Sequence, residues 1–176
     1  ESALDRNATI YAEILGGAVN SGGQRNGGTM TAPNADAVQK CITAAVKDSN
    51  INANDIDLIN GHLTATIKDP DEIENWIKAL ELERESFPYI QSTKSMIGHC
   101  LSAAGAIESV AAVLELYHGF LHPSINCEDL HPKIEEVIDK KCIPKVKKNI
   151  DLNIIAKSSF GFGDVNCSLV LKKYAA

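Results

Sequence analysis

The sequence predicts an α/β domain, a mixed five-stranded sheet covered by helices, in the order β-α-β-α-β-α-β-β. Short β-rich runs alternate with segments whose apolar residues recur every three or four positions, as when strands feed helices. Two histidines fall near strand-to-helix junctions, His62 just after "LING" and His99 just after "KSMIG". The chain closes on two strand-like runs, "LNIIAKSS" and "CSLVLKKY", joined by "FGFGDVN", which reads as a hairpin.

Taken in order, "ATIYAEILG" alternates and is rich in β-formers, so residues 9–15 read as the first strand. The glycine-rich "GGAVNSGGQRNGG" then reads as a flexible loop. In "APNADAVQKCITAAVKDSN", Val38, Cys41, Ile42, Ala45 and Val46 share one helical face, and Asn34 stands where an N-cap belongs. "IDLING" is a short buried strand. "DPDEIENWIKALEL" is a helix with Pro70 and acidic residues in its first turn, where the helix dipole favours negative charge. "YIQSTKS" is strand-like, and "AAGAIESVAAVLELY", residues 103–117, is a helix whose small residues allow close approach to its neighbours. The stretch from "LHPSIN" to "KVKKN" reads as a surface excursion with one short helix near residues 133–138. Such an order implies a mostly parallel sheet with a final hairpin, and in such sheets reactive groups gather where strands end and helices begin.

The 176 residues are enough for one domain with a real core. No apolar run approaches the roughly 18 residues of a membrane span, and no signal-peptide pattern is visible. A net charge of −6 argues against nucleic acid as a partner. Five cysteines (Cys41, Cys100, Cys127, Cys142 and Cys167) are scattered, odd in number and never spaced C-x-x-C, which favours reduced thiols in a cytoplasmic protein over disulfides or zinc. "ESALDRNAT" lacks an initiator Met and reads as the tail of a helix already under way, so a piece of a longer protein is expected.

His62 heads "GHLTATIKD", where alternation turns Thr64 and Thr66 to the same side. Taken alone, either histidine could be a loop residue facing water; two at such junctions of one sheet also fit a reactive pair. Cys100 next to His99 does not make a dyad, because adjacent helical residues point about 100° apart, and it reads as a small core residue. His118 and His122 have metal-like spacing, but Gly119 and Pro123 break the helix that such a site needs. The lysines 140, 141, 145, 147 and 148 read as a solvated face, or as one meeting an acidic partner. "GFGDVN" has no Walker lysine and precedes a strand, so it fits a tight turn presenting backbone N–H groups better than a phosphate loop.

Several motifs together resemble the C-terminal half of a β-ketoacyl-acyl carrier protein synthase, an elongating condensing enzyme of the thiolase-like superfamily. "GHLTAT" is similar to the family's H-G-T-x-T, and "STKSMIGHCLSAAGAIES" to its K-S-x-x-G-H-x-x-x-A-A-G-x-x-E. "MTAPNADA", "PSIN" and "SSFGFGDVN" are similar to the loop before a helix, the P-x-I-N segment and the last glycine loop. The resemblance covers nearly the whole chain and implies a thiolase-like half. It further implies that the acyl-carrying cysteine lies in an N-terminal half absent from this chain. Residues 1–176 would form the C-terminal domain.

His62 and His99 fall on the family's catalytic histidines, and Lys94 with Glu108 on its buried supporting pair. Thr64 and Thr66 match threonines that bind a phosphopantetheine arm, and Thr31 extends that tunnel. Phe162 matches a gating aromatic whose N–H helps form an oxyanion hole, with Phe160 nearby. The implied reaction condenses malonyl-acyl carrier protein with an enzyme-bound acyl thioester, losing carbon dioxide, in fatty-acid or polyketide synthesis. The implied partners are acyl carrier protein, the N-terminal half and a second copy of the full-length protein, with no bound cofactor, nucleic acid or membrane. A non-catalytic partner resembling a chain-length factor, or a carrier-binding module, are the alternatives. Two departures stand out: Leu63 replaces a glycine beside the expected carrier arm, and Asp164 replaces the last loop's second glycine. One extra residue also falls between Thr66 and an Asp71/Glu74 pair.

Overall fold

The computed structural model describes residues 1–175. A single helical turn, α1 (Ser2–Asp5), leads into strand β1 (Glu13–Ser21) and helix α2 (Ala35–Asp48). Strand β2 (Leu58–Asn60), helix α3 (Asp69–Leu80) and strand β3 (Tyr89–Gln91) follow. Next come the helical turn α4 (Lys94–Ile97) and the long helix α5 (Ala104–His118). Strand β4 (Phe120–Leu121), helix α6 (Pro132–Val137) and strand β5 (Lys148–Asn149) make the excursion, before the closing pair β6 (Ile154–Gly161) and β7 (Val165–Lys172).

The main sheet has the order β1-β7-β6-β2-β3. β2 pairs parallel with both β3 and β6, while β7 runs antiparallel to β6 and to β1. Two of the four pairings are therefore antiparallel, and the expectation of a mostly parallel sheet is corrected. The hairpin reverses β7, and the N-terminal strand joins its outer edge.

The sheet is covered on both faces, and the strands' alternation sorts side chains between two cores. Ile59, Ala156, Phe160 and Val170 join Val38 and Ile42 of α2 and Ile73 and Trp76 of α3. Leu58, Ile155 and Leu171, one residue out of phase, join Ala112 and Leu116 of α5. Asn34 caps α2, its side-chain oxygen accepting from the Asp36 and Ala37 N–H groups.

The first strand lies later than its sequence pattern predicts, running through the glycines taken as a loop. Gly16 and Gly17 are there for close approach. A Cβ at Gly16 would stand 2.6 Å from Asp48 Oδ2 and 2.8 Å from the Ser49 nitrogen, so only glycine lets the end of α2 lie against β1. Asp48 Oδ2 accepts the Gly17 N–H at 3.0 Å. β3 is shorter than expected, because the chain turns into α4 at Lys94. The surface excursion contributes a two-stranded ribbon, β4 with β5, that no sequence pattern announced. Its lysines are partly engaged: Lys147 lies over Phe120 and Lys148 over Tyr89, while Lys140 and Lys141 make exposed ion pairs. Gly119, at φ 66°, ends α5 at His118, and His122 turns inward to Thr93 rather than continuing a histidine face.

Candidate active site

The ends of β2 and β6, with the starts of α2, α3 and α5, border one cleft of about 970 Å³. Thr31, His62, Thr64, Thr66, His99, Phe160 and Phe162 all line it. Lys94 and Glu108 lie buried beside it and do not reach its surface.

His62 follows β2 directly, and its loop is held by two carboxylates from the start of α3. Glu72 Oε1 accepts the His62 N–H at 2.7 Å, and Oε2 accepts the Leu63 N–H at 2.8 Å. Ser158 donates its hydroxyl to Glu72 Oε1 at 3.1 Å. Asp69 accepts from the Thr64 and Ala65 N–H groups at 3.0 Å each. These carboxylates, three residues apart, share one face of the helix. Asp71 and Glu74, the acidic pair noted in the sequence, make surface ion pairs instead, Asp71 with Lys68 and Glu74 with Lys78.

Thr64 and Thr66 do face the same way, their hydroxyls 3.2 Å apart. The stretch is a bend rather than extended, with Ala65 at φ 58°. Leu63 packs against the α2/α3 core and is absent from the cleft lining, so it does not add bulk beside the cleft as expected. Burial of the His62 ring is the main cause that pushes its pKa down, to about 3, and the ammonium groups of Lys94 and Lys157 push the same way. The ring is neutral at physiological pH.

His99 sits between α4 and a 3₁₀ turn, Leu101–Ala103, that starts α5. Gly98, at φ 74°, makes the bend that lifts it into the cleft. The Leu101 N–H donates to His99 Nδ1 at 3.0 Å. In the neutral ring that leaves the proton on Nε2, as a donor. The two imidazoles meet edge to face, with centroids 5.2 Å apart, and Phe160 lies 6.0 Å from His62. Cys100, expected in the core, is half-buried, its thiol directed at the carbonyls of Ile97 and Gly98.

Lys94 and Glu108 form a buried ion pair. A second lysine shares the same carboxylate: Lys157 Nζ lies 2.9 Å from Glu108 Oε2, an ion pair without hydrogen-bond alignment. Sequence reasoning missed Lys157, whose one signal is a lysine inside the apolar and small run "IIAKSS". It also missed Asp69 and Glu72.

Phe162 stands at the tip of the β6–β7 turn, 72% exposed. Asp164 keeps that turn, adopting φ 64°, a conformation glycine usually fills. Its buried carboxylate accepts from the Asn34 N–H at 2.7 Å and the Gln24 N–H at 3.0 Å. The substitution thus pins the segment before α2 to the turn, and Gly163 N–H adds a bond to the Met30 carbonyl at 2.9 Å.

Two imidazoles at one end of a cleft, with two buried lysines behind them, can donate N–H groups to an oxygen that gains negative charge. The family profile described as "Beta-ketoacyl synthase, C-terminal domain" matches residues 11–128. The chain belongs to the β-ketoacyl synthase family, with the thiolase-like fold of its ketosynthase neighbours. It is 39% identical over 168 residues to the chloroplastic 3-oxoacyl-[acyl-carrier-protein] synthase I of Arabidopsis thaliana, covering 94% of this chain and 34% of that protein. To 3-oxoacyl-[acyl-carrier-protein] synthase 1 of Buchnera aphidicola it is 41% identical over 174 residues, covering 98% and 40%. Among solved structures, a type II polyketide ketosynthase in complex with its acyl-carrier protein superposes with a TM-score of 0.86 at 34% identity, covering 98% of this chain and 41% of that one. The chain therefore spans two fifths or less of the length of these two curated relatives.

Proposed function

We propose that this chain is the histidine-bearing C-terminal half of a decarboxylating condensing enzyme acting on malonyl-acyl carrier protein. The observation that carries this reading is the pair of neutral imidazoles, 5.2 Å apart in the cleft, with the His99 proton fixed on Nε2. The phosphopantetheine arm enters along Thr31, Thr64 and Thr66, whose hydroxyls bond its amides. The thioester oxygen accepts from His62 and His99. As the bond from the α-carbon to the carboxylate breaks, its electron pair moves into the enolate, and carbon dioxide leaves. The two N–H donors hold the negative oxygen. The enolate carbon then attacks an acyl thioester on a cysteine of the preceding half, and the thiolate departs. Phe162 gates the cleft and its N–H assists at the oxyanion. Lys94 and Glu108 hold the histidine segment without transferring protons.

The preceding half, acyl carrier protein and a second copy of the full-length protein are the partners of this reading. It is supported by α5, whose Ile107, Val110, Leu114 and Tyr117 form an exposed apolar stripe fit to be covered by another layer. This chain alone is then catalytically silent, because positioning against an acyl-cysteine is lost and can contribute about 7–11 kcal/mol.

The test uses the protein with its preceding half. His62→Ala and His99→Ala are each expected to lower carbon dioxide release by about 10²–10³-fold while acyl loading of the cysteine persists. Release near the wild-type rate in both variants overturns the assignment. Multiple-turnover ketoacyl product from residues 1–176 alone would refute the placement of the nucleophile.

A further inference from the structure

On the reading of function given above, we propose that Ser159 and Lys157 form a subsite for the carboxylate of the β-carboxyacyl thioester. Alternation along β6 turns Ala156 and Phe160 to the α2/α3 core, and Lys157 and Ser159 to the opposite face, against α5. Lys157 is only 4% exposed. Its ammonium is surrounded by three oxygens: Glu108 Oε2 and the Ser158 carbonyl, each at 2.9 Å, and Ser159 Oγ. An ammonium can only donate, so Ser159 Oγ accepts from it and the serine's own proton points elsewhere. No second partner for that hydroxyl exists among the described residues, and Ser159 lines the cleft.

Gly105 keeps the hydroxyl open. It lines the cleft, and a Cβ there would stand 3.4 Å from Ser159 Oγ and 3.8 Å from Lys157 Nζ, in contact with both. Charge points the same way. Lys94 and Lys157, two ammonium groups, share the one carboxylate of Glu108, leaving a single positive charge behind the serine. Glu72, the other buried carboxylate nearby, is occupied by the His62 and Leu63 N–H groups and the Ser158 hydroxyl. A buried, unbalanced cation is destabilising by itself. An anionic oxygen on Ser159 completes it.

The subsite binds the carboxylate before reaction and lets go during it. As the carbon–carbon bond breaks, the carboxylate becomes neutral carbon dioxide and the charge moves to the enolate oxygen at the histidines. Ser159 is thus a binding residue made for the ground state, and Lys157 a positioning residue that aims its hydroxyl. Loss of such a contact raises KM without lowering kcat.

The experiment measures carbon dioxide release from malonyl-acyl carrier protein, and acyl loading from a saturated acyl carrier, in the protein with its preceding half. Ser159→Ala is expected to raise KM for the malonyl substrate about tenfold, with kcat equal to or above wild type and acyl loading unchanged. Lys157→Met is expected to shift KM in the same direction. It leaves Glu108 paired with Lys94. A KM within about twofold of wild type in both variants, against a wild type that releases carbon dioxide, overturns the subsite and leaves the proposed function standing. Equal losses for malonyl and saturated substrates also overturn it, since they mark general disturbance. A wild type that releases none overturns the proposed function and the subsite together.

Discussion

The Glu72 carboxylate holds the backbone of His62, and not its ring, accepting that N–H at 2.7 Å. With the Leu63 N–H and Ser158 hydroxyl also committed to it, one buried carboxyl fixes where the histidine leaves β2. Glu72→Ala is expected to strand these donors and cost roughly 2–4 kcal/mol, read as a lowered urea midpoint. A loss below about 1 kcal/mol would show that water replaces the carboxylate easily.

Glu108→Gln and Lys94→Met separate a shared carboxylate from one of its cations. The first leaves two buried ammonium groups unneutralised and is expected to cost about 3–5 kcal/mol. The second leaves the Glu108–Lys157 pair and is expected to cost less. Denaturant titration of both variants checks the order, and equal costs would mean that Lys157 contributes nothing to Glu108.

Leu63→Gly removes packing against the α2/α3 core and adds backbone freedom, so a loss of about 2–3 kcal/mol is expected. On the function proposed above, the range of acyl-carrier substrates accepted by the protein with its preceding half should not change. A shifted range in a turnover series would place the leucine at the carrier arm after all.

Glu115, bonded by Gln91 Nε2 and the His122 N–H, has its carboxyl pushed up by burial to about 7. The folded form then binds the proton more readily than the unfolded chain, whose carboxyl keeps the ordinary 4.5. This group's contribution to stability is present below 4.5 and falls as pH rises through about 7. Glu72, pushed up to about 7 chiefly by burial, adds the same slope. Glu115→Gln is expected to shrink the drop in urea midpoint between about pH 4.5 and about pH 8. An unchanged drop would mean that Glu115 is not its source.

What could be read from the chain before folding was whatever local spacing encodes. Val38, Cys41, Ile42 and Ala45 announced α2, and the histidine motifs announced the cleft. Gly16 and Gly17 misled because glycine reads as flexibility in sequence, whereas here it answers Asp48, more than thirty residues away. Asp69 and Glu72, which hold the His62 loop, were not legible, since only the bend at Ala65 decides which acidic residues of α3 face the loop. Lys157 was invisible for a related reason: a strand lysine acquires meaning only when Glu108 on α5 is brought to 2.9 Å.

The Asp164 clasp makes the acceptability of a mutation depend on which mutation came before it. A methyl group at Gly22 would stand 2.0 Å from Asp164 Oδ2, and one at Gly28 2.5 Å from it, so alanine at either site forces the buried carboxylate out of its place. Replace Asp164 by glycine first, and that obstacle at both positions disappears, along with the bonds to Asn34 and Gln24. Gly22→Ala should therefore harm the Asp164 protein far more than the Asp164→Gly one, an interaction that a double-mutant cycle on unfolding free energy would measure. Additive costs would deny it. If the interaction holds, a lineage can acquire this aspartate only after glycine already occupies both sites, and it can diversify those sites only after giving the aspartate up.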